Sequence, residues 1–335
     1  RGMEELYQLG LALTKLAQQT YPQLLGLMTF ISALGDEVFF LLVLPAVYWC
    51  LNKRLGRQLG YIFLLSALAN SVLKNLLRQP RPFWLDPEVQ LREADNYGLP
   101  SGHVQNMTAV LLLLVIWVRR AVWLLPALLF LLLMAFSRMY LGVHFIWDTA
   151  AGFFAGLIVL SLFLLWQYWF AARFANRILG RRLLIMVIVP SLLAVTNLIA
   201  LLLLGDPDAA PWASFIPAAE LVAHQDVVSA VGALLGFGIG MTIESSRVRM
   251  RPDGPVWKRV VRYGLGMAVA LAIRAGLDAV IPAEPEWIAL PLRFLGHLIL
   301  LLWISLYAPW TFVRLRLASA DPESEVHITF DTPLS

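Results

Sequence analysis

The chain has 335 residues, of which 59% are hydrophobic and 14% are charged, and its formal net charge at pH 7 is +4. Soluble domains carry about 25% charged residues. This composition, with a mean hydropathy of +0.72, therefore excludes an ordinary soluble domain and indicates an integral membrane protein. The single cysteine, Cys50, lies in an apolar run and cannot form an internal disulfide, so we assign it no catalytic role.

The first 34 residues predict an amphipathic helix at the membrane interface, followed by a short connection. Four leucines recur near helical spacing with polar residues between them: Leu6, Leu9, Leu13 and Leu16. The alternative is a tenth span, which would place the N-terminus inside. Residues 1–20 lack a basic segment followed by a compact apolar run, so we expect no cleavable signal.

Nine later segments are apolar enough to form membrane helices, each of which needs about 20 mostly apolar residues. They run over 36–51, 59–79, 103–118, 121–141, 145–170, 183–204, 227–245, 263–282 and 288–312. The predicted fold class is all-α, a polytopic transmembrane helical bundle. A break between Phe170 and Arg182 divides it into a five-span catalytic core, residues 35–170, and a four-span accessory region, residues 171–316. A polar tail, residues 317–335, follows.

The charges of the connections predict the orientation. If the spans alternate, one side carries the basic residues Lys53, Arg54, Arg57, Arg119, Arg120, Arg173, Arg177, Arg181, Arg182, Arg247, Arg249, Arg251, Lys258, Arg259, Arg262, Arg314 and Arg316. Two connections on the other side carry acidic residues and no Lys or Arg: Asp206, Asp208, Glu220 and Asp226 in one, Glu284 and Glu286 in the next. The positive-inside rule then predicts an outer N-terminus and a cytoplasmic C-terminus.

Three short polar clusters stand out on the predicted outer face. They are Lys74-x6-Arg81-Pro82, Pro100-Ser101-Gly102-His103 and Ser137-Arg138-x5-His144-x3-Asp148. Arg suits bidentate contact with phosphate oxygens, and Lys acts as a point charge. Pro100-Ser101-Gly102 precedes a predicted helix, whose first free N–H groups and positive dipole end form an anion site. The clusters therefore predict a site that binds phosphate.

Two histidines supply the chemistry of this site. His144 and Asp148 are four residues apart and share a helix face, so the carboxylate can fix the imidazole tautomer and leave the other nitrogen free to attack. His103 can protonate the departing alkoxide. The predicted path runs through a phosphohistidine and needs no metal or other cofactor. Two histidines and an aspartate also suit zinc, but the surrounding cations disfavour that alternative.

Each feature alone has an ordinary explanation. A lysine at a span end is usually an interfacial anchor, and Ser-Gly before a helix is usually a cap. We favour a phosphate site because all three clusters lie on one predicted face and supply complementary roles.

The segments KNLLRQPRP, PSGH and SRMYLGVHFIWD resemble the type 2 phosphatidic acid phosphatase (PAP2) superfamily over residues 30–165, and they match its three-part pattern at every position. The resemblance implies a PAP2-like core in which His144 is the nucleophile, Asp148 its partner and His103 the general acid. It implies that the phosphate is held by Lys74, Arg81, Ser101, Gly102 and Arg138. The local sequence LREADNYGLPSGH most resembles that of sphingosine-phosphate phosphatases and their bacterial relatives. The nine-span layout is similar to that of glucose-6-phosphatase.

The accessory region carries further polar groups inside predicted spans. Arg274 and Asp278 are four residues apart, as are Arg293 and His297. A structural network between helices is the favoured interpretation, and a path for a head group or a proton is the alternative. Small residues at four-residue spacing, Gly152 and Gly156 in the core and Gly232, Gly236 and Gly240 later, predict close helix packing.

The leading function is therefore a membrane phosphatase acting on a lipid phosphate or diphosphate. Its expected partners are that substrate and the membrane lipids, with no nucleic acid. We expect it in a bacterial inner membrane with its site facing the periplasm, or on the lumenal face of an endomembrane. The alternatives are hydrolysis of a soluble ester such as a sugar phosphate, and lipid transport. A haloperoxidase is disfavoured by family analogy, because those enzymes need vanadate and are usually soluble.

Overall fold

The structure, a computed structural model, describes residues 2–175, 177–204, 212–282 and 285–321. These ranges contain helices and one isolated bridge between Met250 and Ala320, with no β-strand among them, which confirms the all-α class. The α-helices are α1 Gly2–Thr20, α2 Leu25–Ala33, α3 Glu37–Ala46, α4 Lys53–Leu77, α5 Pro82–Leu85, α6 Gly102–Val118, α7 Leu124–Tyr140, α8 Ile146–Trp169, α9 Ala171–Ala175, α10 Leu179–Leu204, α11 Ile216–Ile243, α12 Val256–Val280, α13 Glu286–Leu302 and α14 Ala308–Arg314.

Helices dominate because a chain inside lipid must satisfy its backbone hydrogen bonds within each segment. Within the described ranges, seven stretches are long and apolar enough to cross a membrane: Lys53–Leu85, Ala121–Tyr140, Ile146–Trp169, Leu179–Leu204, Ala213–Val248, Val256–Val280 and Glu286–Arg314. An eighth is counted if Pro22–Ala33 and Glu37–Leu51, bent by 50° at their break, form one span. The remaining predicted segment is α6, an apolar helix of 17 residues. The predicted number of nine is therefore approximate.

The helices group into two compact units, each made of several chain segments. The first, here called the motif unit, comprises residues 1–40, 66–160 and 197–226, and the second comprises residues 41–65, 161–196 and 227–335, as far as they are described. This grouping does not follow chain order. The division of the chain near residue 170 stays a prediction about the sequence.

Helix α1 packs into the motif unit with a face other than the predicted leucine stripe. Tyr7 and Leu11 are buried, whereas Leu9 and Leu16 are more than half exposed. A side chain at Gly10 would lie 2.5 Å from the Phe145 ring, so the absence of one permits this close packing. The helix is confirmed, and its place at the membrane interface remains a prediction. Residues 322–335 of the polar tail and the loop residues Asp206, Asp208 and Glu284 lie outside the described residues.

The small residues lie at close helix contacts, as predicted. A Cβ added at Gly152 or Gly156 would be 2.6 Å from the carbonyl oxygen of Ser101 or Gln105 on α6. In the second unit, Gly232 and Gly236 would meet carbonyl oxygens of α13 at 2.4 and 2.3 Å. Only a residue without a side chain allows backbones to approach this closely.

The polar groups of the accessory region make contacts within their own helices, and His297 on α13 is also electrostatically coupled to Arg274 and Asp278 on α12. The structural network between helices stays a prediction. Arg274 and Asp278 are 4.0 Å apart on α12, and both side chains are substantially exposed. His297 Nδ1 lies 2.8 Å from the carbonyl oxygen of Arg293, one turn earlier on α13. Each pair is thus connected within its own helix, because four-residue spacing already brings such groups together.

Candidate active site

The first cluster follows the end of α4 in the motif unit. Lys74 lies in the last turn of this helix, and Arg81 comes after it, before Pro82 begins α5. Lys74 Nζ donates to Asn96 Oδ1 at 2.8 Å and to the Tyr97 carbonyl oxygen at 2.7 Å. Arg81 donates to both the carbonyl oxygen and Oδ1 of Asn96. Both side chains are nearly fully buried, so two cations converge on one amide.

The second cluster forms the N-terminus of α6. Ser101 is the N-cap in an extended conformation, and its hydroxyl makes no cap hydrogen bond. Its Oγ is fully buried and has no partner within the described chain. A Cβ on Gly102 would lie 2.8 Å from Asn70 Oδ1, so this position has no room for a side chain. A hydroxyl and the first free N–H groups of a helix are thus available to an anion.

The third cluster joins the end of α7 to the start of α8. Arg138 lies in the last turn of α7 and is buried, and its Nη1 donates to Ser32 Oγ. Its Nε has no partner among the residues that the structure describes. Buried polar groups are normally hydrogen-bonded. A donor of this kind is therefore suited to a ligand such as phosphate.

His144 and Asp148 lie side by side, as their spacing predicted. His144 Nδ1 is 3.5 Å from Asp148 Oδ2, and the Phe145 N–H donates to the same oxygen at 2.8 Å. Within the described chain His144 Nδ1 makes no hydrogen bond, as is common for catalytic pairs before substrate binds. Burial, with added repulsion from Arg81 and Arg138, holds the pKa of His144 well below its usual range. The imidazole is therefore neutral near pH 7 and keeps a lone pair for attack.

Backbone contacts bring the three clusters together. Arg81 Nη1 donates to the carbonyl oxygen of Val143, the residue before His144, at 2.7 Å. The Ser101 N–H donates to the carbonyl oxygen of Asp148 at 2.9 Å. The predicted residues thus form one polar site whose cations, hydroxyl and imidazoles lie at or beside the ends of five helices, α4 to α8.

The structure adds an acidic partner for His103 that the sequence did not reveal. His103 Nε2 lies 2.8 Å from Oδ1 of Asp36, in the break between α2 and α3. Arg92 donates to both carboxylate oxygens of Asp36, at 2.8 and 2.7 Å, and to Ser32 Oγ at 3.0 Å. In the sequence, Asp36 was distinguished only as an acidic residue at the start of a predicted span.

Asn96 and Asp226 are the other polar residues that the motifs did not indicate. Besides accepting from Lys74 and Arg81, Asn96 donates from Nδ2 to Asp226 Oδ2 at 2.7 Å. The connection between α5 and α6 therefore contributes Asn96 to the site. Asp226, on α11, belongs to the loop and span that follow the catalytic core in the chain.

Comparisons with known families identify this arrangement. The model of the PAP2 superfamily matches residues 55–173, and the model of the PAP2 superfamily phosphatase transmembrane extension matches residues 228–320. Between them the two matches cover more than half of the chain. By these two matches the chain belongs to the PAP2 superfamily, as the three motifs predicted, and it carries both the superfamily domain and the transmembrane extension.

Several curated relatives align with part of the chain. Mouse (Mus musculus) sphingosine-1-phosphate phosphatase 2 is 33% identical over 144 residues, 41% of this chain and 40% of that protein. Lipid phosphate phosphatase delta of Arabidopsis thaliana is 29% identical over 152 residues, 40% of this chain and 36% of that protein. Undecaprenyl-diphosphatase of Sulfolobus acidocaldarius is 29% identical over 134 residues, 39% and 65% of the two chains.

These alignments cover about two fifths of the length of the sphingosine-phosphate phosphatases. The predicted likeness to that branch is confirmed. No solved structure shows a significant match to the chain.

Proposed function

We propose that this protein is an integral membrane phosphatase that hydrolyses a lipid phosphate or diphosphate through a phosphohistidine on His144. The observation that carries the proposal is the buried imidazole of His144 in one site with three buried basic side chains and an unpartnered hydroxyl. The names of the relatives, which include lipid phosphate and lipid diphosphate phosphatases, support a lipid substrate.

The phosphate group is bound by Lys74, Arg81, Arg138, the Ser101 hydroxyl and the N–H groups at the start of α6. Together they place positive charge around the phosphorus oxygens, where negative charge is concentrated during transfer. The N–H groups begin at Gly102, which lets the phosphate approach the backbone. Because side chains supply this charge, the proposed reaction needs no metal ion.

His144 then attacks the phosphorus in line with the leaving oxygen. Asp148 lies against Nδ1, so the Nε2 lone pair forms the new N–P bond. The P–O bond to the lipid breaks, and His103 gives its proton to the departing alkoxide. Water next attacks the phosphohistidine, His103 takes a proton from that water, and inorganic phosphate and free His144 are released.

The outer membrane face is the proposed location of this site. The support is the distribution of Lys and Arg among the connections, which the positive-inside rule interprets. In a bacterium the site would face the periplasm.

Loss of His144 tests the reaction. Purified His144→Ala protein should release no phosphate from a sphingoid-base phosphate or a prenyl diphosphate in detergent micelles, with excess chelator present, whereas the wild type should. His297→Ala, which removes a histidine of the second unit that lies outside the proposed site, is the matched control and should keep wild-type turnover. Normal turnover by His144→Ala contradicts the mechanism. A preference of the wild type for sugar phosphates contradicts the substrate class.

A further inference from the structure

Asp36 is held rigidly against one edge of the His103 ring. Its Oδ1 lies 2.8 Å from His103 Nε2, and the Arg92 guanidinium contacts both of its oxygens. Both contacts come from Arg92 Nη2, and charge-assisted hydrogen bonds of this kind favour the ionised carboxylate and restrict its orientation. Asp36 therefore presents a fixed negative charge to one ring nitrogen.

The packing of the ring shows which nitrogen remains free. A Cβ on Gly35 would be 2.7 Å from His103 Cδ2, the atom next to Nε2, so this ring edge packs against the Gly35–Asp36 backbone. Within the described chain no residue is hydrogen-bonded to Nδ1, and the side chain keeps 21% of its surface exposed. Nδ1 is thus the nitrogen that can reach a substrate.

We propose that Asp36 is a positioning residue that makes His103 the general acid and base of the reaction. The inference rests on the proposed function. The Asp36 carboxylate accepts the Nε2–H bond, fixes the ring orientation and stabilises the imidazolium form. Nδ1–H of that imidazolium gives its proton to the alkoxide as the P–O bond breaks. The neutral ring then takes a proton from the water that attacks the phosphohistidine, so no proton is gained or lost over the cycle.

Asp36 also joins the acid to the phosphate site. Ser32, on the helix before the break, accepts from Arg92 at 3.0 Å and from Arg138. The bent segment around residues 32–36 therefore orients His103 and a phosphate-binding arginine together. The site would then contain two histidine–aspartate pairs with separate roles, His144–Asp148 for attack and His103–Asp36 for proton transfer.

The competing explanation is that Asp36 has a purely structural role and only anchors the connection that carries Arg92. The two explanations differ in how the rate depends on the leaving group. Alkoxides must be protonated as they depart, whereas 4-nitrophenolate is stable as an anion and needs no acid. In the first half-reaction, which releases the alcohol, a positioning role predicts slower release of alkyl alcohols with little change for 4-nitrophenolate, and a purely structural role predicts equal damage to both. Hydrolysis of the phosphohistidine is common to both esters, so the comparison is confined to the first half-reaction.

The experiment measures the single-turnover rate of alcohol release, with enzyme in excess, and the KM of full-length Asp36→Asn on dodecyl phosphate and on 4-nitrophenyl phosphate. We expect the single-turnover rate on the alkyl ester to fall about 100-fold, KM to change little, and the single-turnover rate on the aryl ester to fall less than about fivefold. Asp36→Glu should restore part of the alkyl activity. Asp86→Asn, which removes a carboxylate paired with Lys15, is the matched control and should behave as the wild type.

A double substitution completes the test. If Asp36 acts through His103, the double variant Asp36→Asn with His103→Gln should be no slower on dodecyl phosphate than His103→Gln alone. Equal losses on both esters, additive losses in the double variant, or no loss in Asp36→Asn would each overturn the inference. Failure of the proposed function would be visible separately, as wild-type protein that hydrolyses neither ester.

Discussion

Ser101 carries a buried hydroxyl that lowers the free energy of unfolding but suits phosphate binding. Its hydroxyl is fully buried without a partner in the described chain, at the N-terminus of α6. An unsatisfied buried hydroxyl weakens folding, since its hydrogen bonds to water are lost and not replaced. A bound phosphate oxygen would replace them.

We therefore expect opposite effects on activity and stability from Ser101→Ala. Its kcat/KM for a lipid phosphate should fall about 10- to 100-fold, while the unfolding free energy should change by less than about 1 kcal/mol or rise. Steady-state kinetics and thermal unfolding in detergent measure the two effects. Thr108→Val is the control, because Thr108 is buried on the same helix and already bonded to the Val104 carbonyl oxygen. Unchanged kcat/KM in Ser101→Ala would remove Ser101 from the site.

The residues that sequence reasoning found and those it missed differ in a physical way. The eight motif residues lie in three short clusters, so the sequence pattern alone identifies both the residues and their chemical roles. Asp36 and His103 are 67 residues apart, and Asn96 and Asp226 are 130 apart. Such pairs leave no local pattern, because only the folded chain brings them into contact.

At the scale of whole elements, hydropathy predicted the helices better than it predicted their packed faces. Every predicted span overlaps a helix, since a membrane segment must be both long and apolar. In α1 the leucine stripe faces outward while Tyr7 and Leu11 are buried. Lipid is as apolar as leucine, so an apolar stripe in a membrane protein does not identify the side facing the protein. Small residues are the better indicator, as the contact of α8 with α6 shows.

The contact between α8 and α6 supports a prediction about Gly152. A single added methyl group there would lie 2.6 Å from the Ser101 carbonyl oxygen, and a backbone atom cannot move aside cheaply. Gly152→Ala should lower the unfolding free energy by about 1 to 3 kcal/mol and reduce turnover, because the displaced atom belongs to the N-cap of the phosphate site. Thermal unfolding and phosphate release measure both effects.

Gly264→Ala provides the matched control on α12. A Cβ at this position meets nothing within 4 Å, so the change should be neutral or stabilise the helix by up to about 1 kcal/mol. If the two variants had equal stability, close packing at Gly152 would not be limiting.

At the scale of the whole molecule, the orientation in the membrane decides which pool of lipid the site can reach. The connections rich in Lys and Arg alternate along the chain with connections that are poor in them or acidic. Residues 86–100, which carry Asn96 and Arg92 into the site, fall on the predicted outer side. The connection between α11 and α12, which is rich in arginine, falls on the predicted inner side.

Single-cysteine labelling tests this orientation. In a Cys50→Ala background, Glu93→Cys and Asp253→Cys each place one thiol at an exposed position on opposite predicted sides. A membrane-impermeant maleimide should label Glu93→Cys in intact cells and Asp253→Cys only after permeabilisation. The reverse pattern, or labelling of both from outside, would contradict the outer location of the site. Because Glu93 and Asn96 lie on one short connection, labelling at Glu93 also reports the face from which the phosphate enters.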